Sequence, residues 1–280
     1  MKKLIVTADD YGMSSAVNAA IDAGIAAGLI TSTNVMTNMP CYAEAAKLRD
    51  LPVSVGIHWT LSCGKPTLPA EEIPTLVTVV GEFYSYPEFR KRYRKKQISE
   101  EDIRKELAEQ YKRFTEVCGE ADYWNTHQNV HVDFGIYRLF ADMAASLGIP
   151  RMRSHQRIYV PESVMADRQP LLWRLIEPIK SRLLNIWQRN AHKRGLRSPD
   201  GLIVCLNNKD TERLEHVFAN IQWKKNEIGE FVIHPATECD SPYFGKIVDR
   251  RIREYELFTS DKTRKLIEKN NLTLVTYESV

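Results

Sequence analysis

Five side chains that can bind a metal ion or move a proton each follow or close a short apolar run of the sequence. They are Asp9, Asp10, His58, His127 and His234. Two neutral imidazoles and one carboxylate form a ligand group that leaves coordination positions open for water and substrate. A divalent ion held in this way lowers the pKa of its water, and a second, adjacent carboxylate can accept the proton. The residue types therefore predict a metal site that could activate a water molecule.

Each of these residues, taken alone, also has a purely structural explanation. The Asp pair could form a turn after a strand, with a carboxylate capping a helix that begins near Ser14. A single histidine such as His58 is more often a buried core residue than a ligand. His127 and His131 have the i, i+4 spacing of metal ligands on a helical turn, but one such pair arises readily by chance. Only the joint placement of the set favours a metal site.

Apolar, β-branched runs alternate with helical segments along the chain. The expected strands are Leu4–Ala8, Thr33–Thr37, Val53–Leu61, Tyr123–Thr126, Arg151–Ser154, Leu202–Leu206, Glu230–Ile233 and Leu272–Tyr277. The expected helices are Ser14–Leu29, Ser99–Val117, Phe134–Leu147 and Ser260–Glu268. This alternation predicts an α/β fold, a (β/α) barrel with seven or eight mostly parallel strands. Active sites of such barrels lie at the carboxyl ends of the strands, where the five residues fall.

A single site that draws on both halves of the chain predicts one domain over residues 1–280, with loop or helical insertions near 60–98 and 158–199. The 39 basic and 36 acidic residues give a formal charge of only +3, which argues against a nucleic-acid partner. Five scattered cysteines and an N-terminal apolar run that stops after Val6 indicate a reducing, cytoplasmic location.

Two basic segments are open to a second interpretation. Arg90–Lys96 could bind nucleic acid, but a solvated loop or helix is the preferred explanation. Lys180–Arg197 is basic and amphipathic and could meet a membrane or an anionic glycolipid. Packing onto the barrel or onto another subunit is the preferred explanation, and a homodimer is the base-rate expectation.

Several segments together resemble the YdjC-like carbohydrate deacetylase family, whose members include chitooligosaccharide deacetylases. The matching segments are Thr7-Ala-Asp-Asp-Tyr-Gly-Met-Ser14, Gly28–Thr33, Val55-Gly-Ile-His-Trp-Thr-Leu61, Thr126-His-Gln-Asn-Val-His131, Ile233-His-Pro235 and Arg250–Ser260. The resemblance runs nearly end to end and is weakest between Ile158 and Pro199. The opening Ala-Asp-Asp-aromatic-Gly motif and the histidine motif are specific only in combination.

The resemblance implies a distorted, TIM-like barrel that removes acetyl groups from N-acetylated sugars with a divalent metal, Mg²⁺ or Zn²⁺. It implies that Asp10, His58 and His127 bind the metal. Asp9 would then be the general base, and His234 would be the acid or would stabilise the transition state. A membrane contact is expected only if the sugar is lipid-linked.

The chain departs from the family at two positions of the fourth-strand motif. Asn125 stands where the family usually has Asp, and Asn129 stands where it usually has His. We expect these two changes to affect which substrate is recognised more than which type of reaction is catalysed. The residues expected to contact substrate are Trp59, Asn129, His131 and Arg153. Two alternatives stay open: a metal-dependent barrel hydrolase of another amide or a phosphoester, and a carbohydrate-binding relative without turnover.

Overall fold

A parallel sheet of seven strands forms the centre of the protein in a computed structural model that describes residues 2–133, 135–158, 160, 171–203, 213–224 and 227–280. The strands are β1 (Lys2–Tyr11), β2 (Ser32–Val35), β3 (Ser54–Trp59), β4 (Trp124–Thr126), β5 (Gly201–Ile203), β6 (Ile228–Ile233) and β7 (Leu272–Leu274). Their spatial order is β4-β3-β2-β1-β6-β5, and β7 pairs with the first residues of β1. Every strand pairing within the described residues is parallel. The predicted α/β fold is confirmed: the sheet curls into a half-barrel, consistent with a distorted TIM-like barrel.

The two edge strands, β4 and β5, are linked by the segment 151–157 through single bridges. Met152 pairs with Trp124 of β4, and Arg157 pairs with Leu202 of β5. The prediction of a strand over Arg151–Ser154 is wrong, because the segment changes partners from residue to residue and forms no continuous ladder. The predicted strand Leu202–Leu206 is described only as far as Ile203, and its remainder lies outside the described residues.

The described helices pack around the sheet. They are α1 (Ser15–Ala26), α2 (Tyr86–Arg94), α3 (Glu100–Cys118), α4 (Tyr137–Ser146), α5 (Leu171–His192), α6 (Leu214–Asn220), α7 (Val248–Phe258) and α8 (Asp261–Lys269). Three of the predicted helices start where a serine caps the first turn: the side chains of Ser14, Ser99 and Ser260 accept backbone N–H groups of α1, α3 and α8. The fourth, α4, begins at Tyr137, and Phe134 lies outside the described residues.

The two segments expected as insertions contain helices. The basic run Arg90–Lys96 lies mostly on α2, where Arg92 pairs with Glu88 and Arg90 pairs with Asp133, so part of its charge is neutralised within the chain. Helix α5 exposes a stripe of aliphatic side chains: Ile176, Ile179, Leu183 and Ile186. Among the helices that the structure describes, none is long and apolar enough to cross a bilayer.

The hydrophobic core lies beneath the helices and is centred on β1, whose residues from Leu4 to Tyr11 are all buried. Strand β1 pairs with β2 along its second half and with β6 along most of its length. Because β1 sits between strands from both ends of the chain, its carboxyl end is surrounded by residues that are distant in sequence. This is where the candidate site lies.

Candidate metal centre

The carboxyl end of β1 brings two adjacent aspartates into one site. In a regular strand, consecutive side chains point to opposite faces. Here the pairing of β1 with β2 shifts register between Ala8 and Tyr11, and Asp10 has a φ of 76°. Aspartate tolerates this left-handed conformation better than most residues with a side chain. Because of this irregularity, the carboxylates of Asp9 and Asp10 can both lie at the same end of the sheet.

Asp10, His58 and His127 form a compact group of ligand atoms. Oδ1 of Asp10 lies 3.3 Å from Nε2 of His58 and 3.1 Å from Nδ1 of His127. One ligand atom from each residue lies within 4.8 Å of the other two, and all three side chains are buried. His58 is the last residue but one of β3, and His127 directly follows β4, so neighbouring strands supply the imidazoles. Two imidazole nitrogens converging on one carboxylate oxygen fit a divalent cation.

Asp10 is held in its charged form chiefly by Arg251, a residue outside the ligand group. Arg251 of α7 donates from Nη2 to Oδ2 of Asp10 at 2.5 Å, which leaves Oδ1 for the two histidines. Burial would raise the pKa of Asp10, but Arg251 and His127 outweigh it and hold this pKa well below its usual range. The same carboxylate raises the pKa of His127 against the effect of burial.

Asp9 is part of a buried ion-pair network. Arg153 binds it with both terminal nitrogens, at 2.7 Å to Oδ2 and 2.6 Å to Oδ1, and Asn34 donates to Oδ1 at 2.6 Å. Arg153 also donates to Glu230 of β6 at 3.0 Å and 3.1 Å. Burial alone would raise the pKa of Asp9, yet Arg153 lowers this pKa well below its usual range. Asp9 is therefore an oriented carboxylate that is ionised in the resting site near pH 7.

His234 closes β6 beside this network. Its Nε2 lies 3.7 Å from Oδ2 of Asp9, and its backbone N–H donates to Glu254 of α7 at 2.6 Å. Its side chain is 27% exposed, against 5% for Asp9, so it reaches closer to solvent. Burial lowers the pKa of His234 to about 3, which makes the imidazole neutral near pH 7. Nδ1 of His234 finds no hydrogen-bond partner among the described residues.

The residues expected to contact substrate occupy different environments. Trp59 is fully buried against Trp124, and its indole N–H donates to the carbonyl of Leu107. Asn129 is exposed on the turn after His127 and has a left-handed φ of 54°. His131 is buried, and Arg153 belongs to the network around Asp9.

His131 faces a second histidine that the sequence did not single out. Its Nε2 lies 3.1 Å from Nε2 of His155, and its Nδ1 lies 2.6 Å from the hydroxyl of Thr126. Burial lowers the pKa of His155 to about 3 and brings the pKa of His131 well below its usual value. This pair lies in the interior next to Trp124 rather than among the ligand atoms.

Four residues that support the site were missed at the level of sequence. Asn34 and Glu230 are polar residues inside strands, and Glu254 and Arg251 lie on α7. They lie inside apolar runs or on a helical face, and the residues around them form no recognisable catalytic or metal-binding motif. Arg251 and Glu254 do fall within Arg250–Ser260, a segment matched to the family, and that match was the available signal.

Comparison with known proteins identifies the family. Residues 3–269 match the model of the family described as YdjC-like protein. This match spans nearly the whole chain and includes every residue of the site. The chain belongs to the YdjC-like family.

Individual relatives of this YdjC-like chain carry related names. A carbohydrate deacetylase of Enterococcus faecalis is 27% identical over 291 residues, covering 100% of this chain and 98% of that protein. A chitooligosaccharide deacetylase of Proteus mirabilis is 34% identical over 152 residues, covering 52% of this chain and 57% of that protein. A solved structure from Enterococcus faecalis, described as a candidate cellobiose-phosphate cleavage protein, has a TM-score of 0.74 at 26% identity and covers 99% of this chain and 98% of its own.

Proposed function

We propose that this chain is a metal-dependent hydrolase that removes the acetyl group from an N-acetylated carbohydrate. The observation that carries the proposal is the group Asp10, His58 and His127, which converges within 4.8 Å beside a second, oriented aspartate. The names of the relatives support the same activity and a carbohydrate substrate.

Asp10, His58 and His127 would hold a divalent cation, and the mixed oxygen and nitrogen set accepts Zn²⁺ as well as Mg²⁺. When bound, such an ion lowers the pKa of a water molecule and polarises an amide carbonyl. Arg251 supports this function, because it binds Oδ2 of Asp10 and keeps the carboxylate ionised. Oδ1 is thereby left to face the two histidines and the cation.

Asp9 would accept the proton of the attacking water. Its pKa, held low by Arg153, makes it a weak base, so the transfer depends on a water that is itself made acidic. The fixed, bidentate contact with Arg153 compensates by orienting the carboxylate. Asp9 would thus act through position rather than through high basicity.

His234 would deliver the proton to the departing sugar nitrogen. Its pKa of about 3 means that the imidazole starts neutral and must receive the proton during the reaction. Oδ2 of Asp9 lies 3.7 Å from Nε2 of His234, so the proton taken from water has a short path to the acid. The greater exposure of His234 supports this role, because a substrate that enters from solvent would reach its ring before it reaches Asp9.

The proposed partner is an N-acetylated carbohydrate met in the cytoplasm. Exposed Asn129, on the turn that begins with His127, would contact the sugar. Contact with a membrane is expected only for a lipid-linked sugar, and a homodimer stays the expected assembly.

The test is to identify the products formed from a panel of sugars. The panel contains N-acetylglucosamine oligomers of increasing length, lipid-linked N-acetyl sugars and phosphorylated disaccharides, the last because of the description of the structural neighbour. Free acetate and a free sugar amine in equal amounts are expected. Release of phosphate without acetate would favour a phosphoester hydrolase, and binding without any product would favour a carbohydrate-binding protein.

A further inference from the structure

Asn125 lies directly against the proposed ligand His58. The two residues are paired across β4 and β3, and Asn125 is fully buried. One end of the Asn125 amide is 2.5 Å from Nδ1 of His58. The other end is 2.9–3.0 Å from both terminal nitrogens of Arg153 and 3.0 Å from Nδ2 of Asn34. The amide therefore fills the gap between a metal ligand and the network that holds Asp9.

The surroundings decide which end of the amide is the oxygen. The nitrogens of Arg153 and Asn34 can only donate, so an amide oxygen fits beside them and an NH₂ group there finds no acceptor. The amide oxygen of Asn125 satisfies all three contacts, whereas its NH₂ group would meet only other donors there. With the oxygen on that side, the NH₂ group of Asn125 faces His58 and donates to Nδ1. Leaving donors without acceptors in a fully buried place is unfavourable, so this orientation is preferred.

This orientation selects the tautomer of His58. An imidazole nitrogen that accepts a hydrogen bond carries no proton, so the proton of a neutral His58 resides on Nε2. That proton points to Oδ1 of Asp10, 3.3 Å away. Ligation through Nε2 requires the opposite tautomer, with the proton on Nδ1. Asn125 must then turn its oxygen to His58 and its NH₂ group to Arg153 and Asn34.

We propose that Asn125 is a positioning residue that holds His58 in the non-ligating tautomer and thereby weakens binding of a divalent cation at this site. The inference rests on the proposed metal site. A carboxylate at position 125 would accept from Arg153 on one side and from Nδ1–H of His58 on the other, and it would remove the conflict. Asn125→Asp is therefore the informative variant.

The first measurement is the position of the proton in metal-free protein. Imidazole ¹⁵N chemical shifts report it, with the His58 signals assigned by their loss in His58→Gln. We expect the proton on Nε2 in the unaltered protein and a proton on Nδ1 in Asn125→Asp. A proton already on Nδ1 of the unaltered protein, or none on Nδ1 in Asn125→Asp, would overturn the inference.

The second measurement is the affinity for Zn²⁺, by titration against a competing chelating dye. We expect Asn125→Asp to bind at least tenfold more tightly than the unaltered protein, and equal or weaker binding would overturn the inference. Asp10→Asn serves as the control for the site and should lose the binding. If Asp10→Asn binds Zn²⁺ as well as the unaltered protein, the proposed metal site is wrong, and the affinity part of the inference fails with it. The tautomer measurement does not depend on Zn²⁺, so the two failures are distinguishable.

Discussion

The two aspartates of the site differ because their neighbours differ. Asp10 shares one oxygen with two imidazoles and gives the other to Arg251, while Asp9 gives both oxygens to Arg153 and Asn34. Asp10 therefore has an oxygen facing ligand partners, and Asp9 does not. This difference supports the proposal that Asp10 binds the cation and that Asp9 accepts the proton.

Replacing the two aspartates separately tests this division. Asp9→Asn is expected to keep metal binding and to lower kcat by about 10²–10⁴-fold, the usual range for removing a general base. Asp10→Asn is expected to lose both metal and turnover. Metal content and acetate release are measured on the same preparations. Loss of metal in Asp9→Asn would instead make Asp9 a ligand.

Arg153 is expected to stabilise the fold as well as the site. Arg153→Met leaves Asp9 and Glu230 as buried carboxylates without their cation, which costs about 3–5 kcal/mol of unfolding free energy when a buried pair is broken. Urea unfolding monitored by tryptophan fluorescence measures this change. Arg197→Met, at an exposed position, is the matched control and should lie within about 0.5 kcal/mol of the unaltered protein. Equal stability of the two variants would contradict the role of the network.

The sequence identified the chemical side chains better than their partners. Asp9, Asp10, His58 and His127 are predictable because carboxylates and imidazoles at strand ends form a recognisable set. Asn34, Glu230 and Arg251 are not, because whether a polar residue in a strand or helix faces the site depends on register and packing. The contact between Asn125 and His58 likewise follows from the pairing of β3 with β4.

At the scale of elements, short strands place each residue. The carboxyl ends of β1, β3, β4 and β6 deliver the aspartates and the three histidines, as the alternation of strands and helices predicts. The irregularity at Asp10 was not predictable from apolar patterning, which cannot detect a shift in strand pairing. Nor was the replacement of a strand by single bridges over Arg151–Ser154, since its residues resemble those of the true strands.

The close approach of β3 and β4 depends on Gly56. A Cβ at Gly56 would lie 2.7 Å from the ring of Tyr123 and 2.8 Å from its carbonyl oxygen, so the backbone itself must move. Tyr123 cannot easily yield, because its hydroxyl is bonded to Ser32 and to the carbonyl of Thr33. Gly56→Ala is therefore expected to lower the unfolding free energy by about 1–3 kcal/mol. It should also weaken metal binding, since His58 is two residues away.

Gly148→Ala is the control for this variant. Its Cβ would meet open space, and only its positive φ of 73° is unfavourable, so a loss of about 1 kcal/mol is expected. Metal binding of Gly148→Ala should be unchanged. Urea titration and Zn²⁺ titration of both variants check the comparison, and unchanged metal affinity in Gly56→Ala would contradict the proposed dependence on strand spacing.

At the scale of the whole molecule, the chain builds one chemical site from segments up to 241 positions apart, the separation between Asp10 and Arg251. The family and the α/β fold were predictable because motifs and strand periodicity extend over most of the chain. The single domain, the cytoplasmic location and the homodimer stay predictions. The native cation also stays open, because a set of two histidines and one aspartate accepts several metals.

Acid should destabilise the folded protein before its carboxylates are titrated. Burial holds the pKa of His155 at about 3 and that of His131 well below its usual value of 6.5, so both are neutral in the folded protein. The unfolded chain takes up these protons below about pH 6.5. The contribution of these two histidines to the unfolding free energy is therefore fully present above pH 6.5. It is lost as the pH drops towards 3, by at most about 1.4 kcal/mol per pH unit and per histidine.

His155→Gln tests this dependence on pH. Glutamine does not titrate, so the loss of unfolding free energy between pH 6.5 and pH 4 should be smaller than in the unaltered protein. His216→Gln, at an exposed site, is the control and should leave the slope unchanged. Urea unfolding at several pH values provides the comparison. An identical slope in His155→Gln would show that this histidine does not contribute.

The most direct test of a metal-dependent deacetylase is acetate release before and after the metal is removed and restored. The protein is stripped with a chelator, incubated with N-acetylglucosamine oligomers, and assayed again after Zn²⁺ or Mg²⁺ is added back. We expect no acetate from the stripped protein, recovery when an excess of cation is added back, and no recovery in Asp10→Asn. Acetate release that survives chelation, or that is restored equally well in Asp10→Asn, would contradict this prediction.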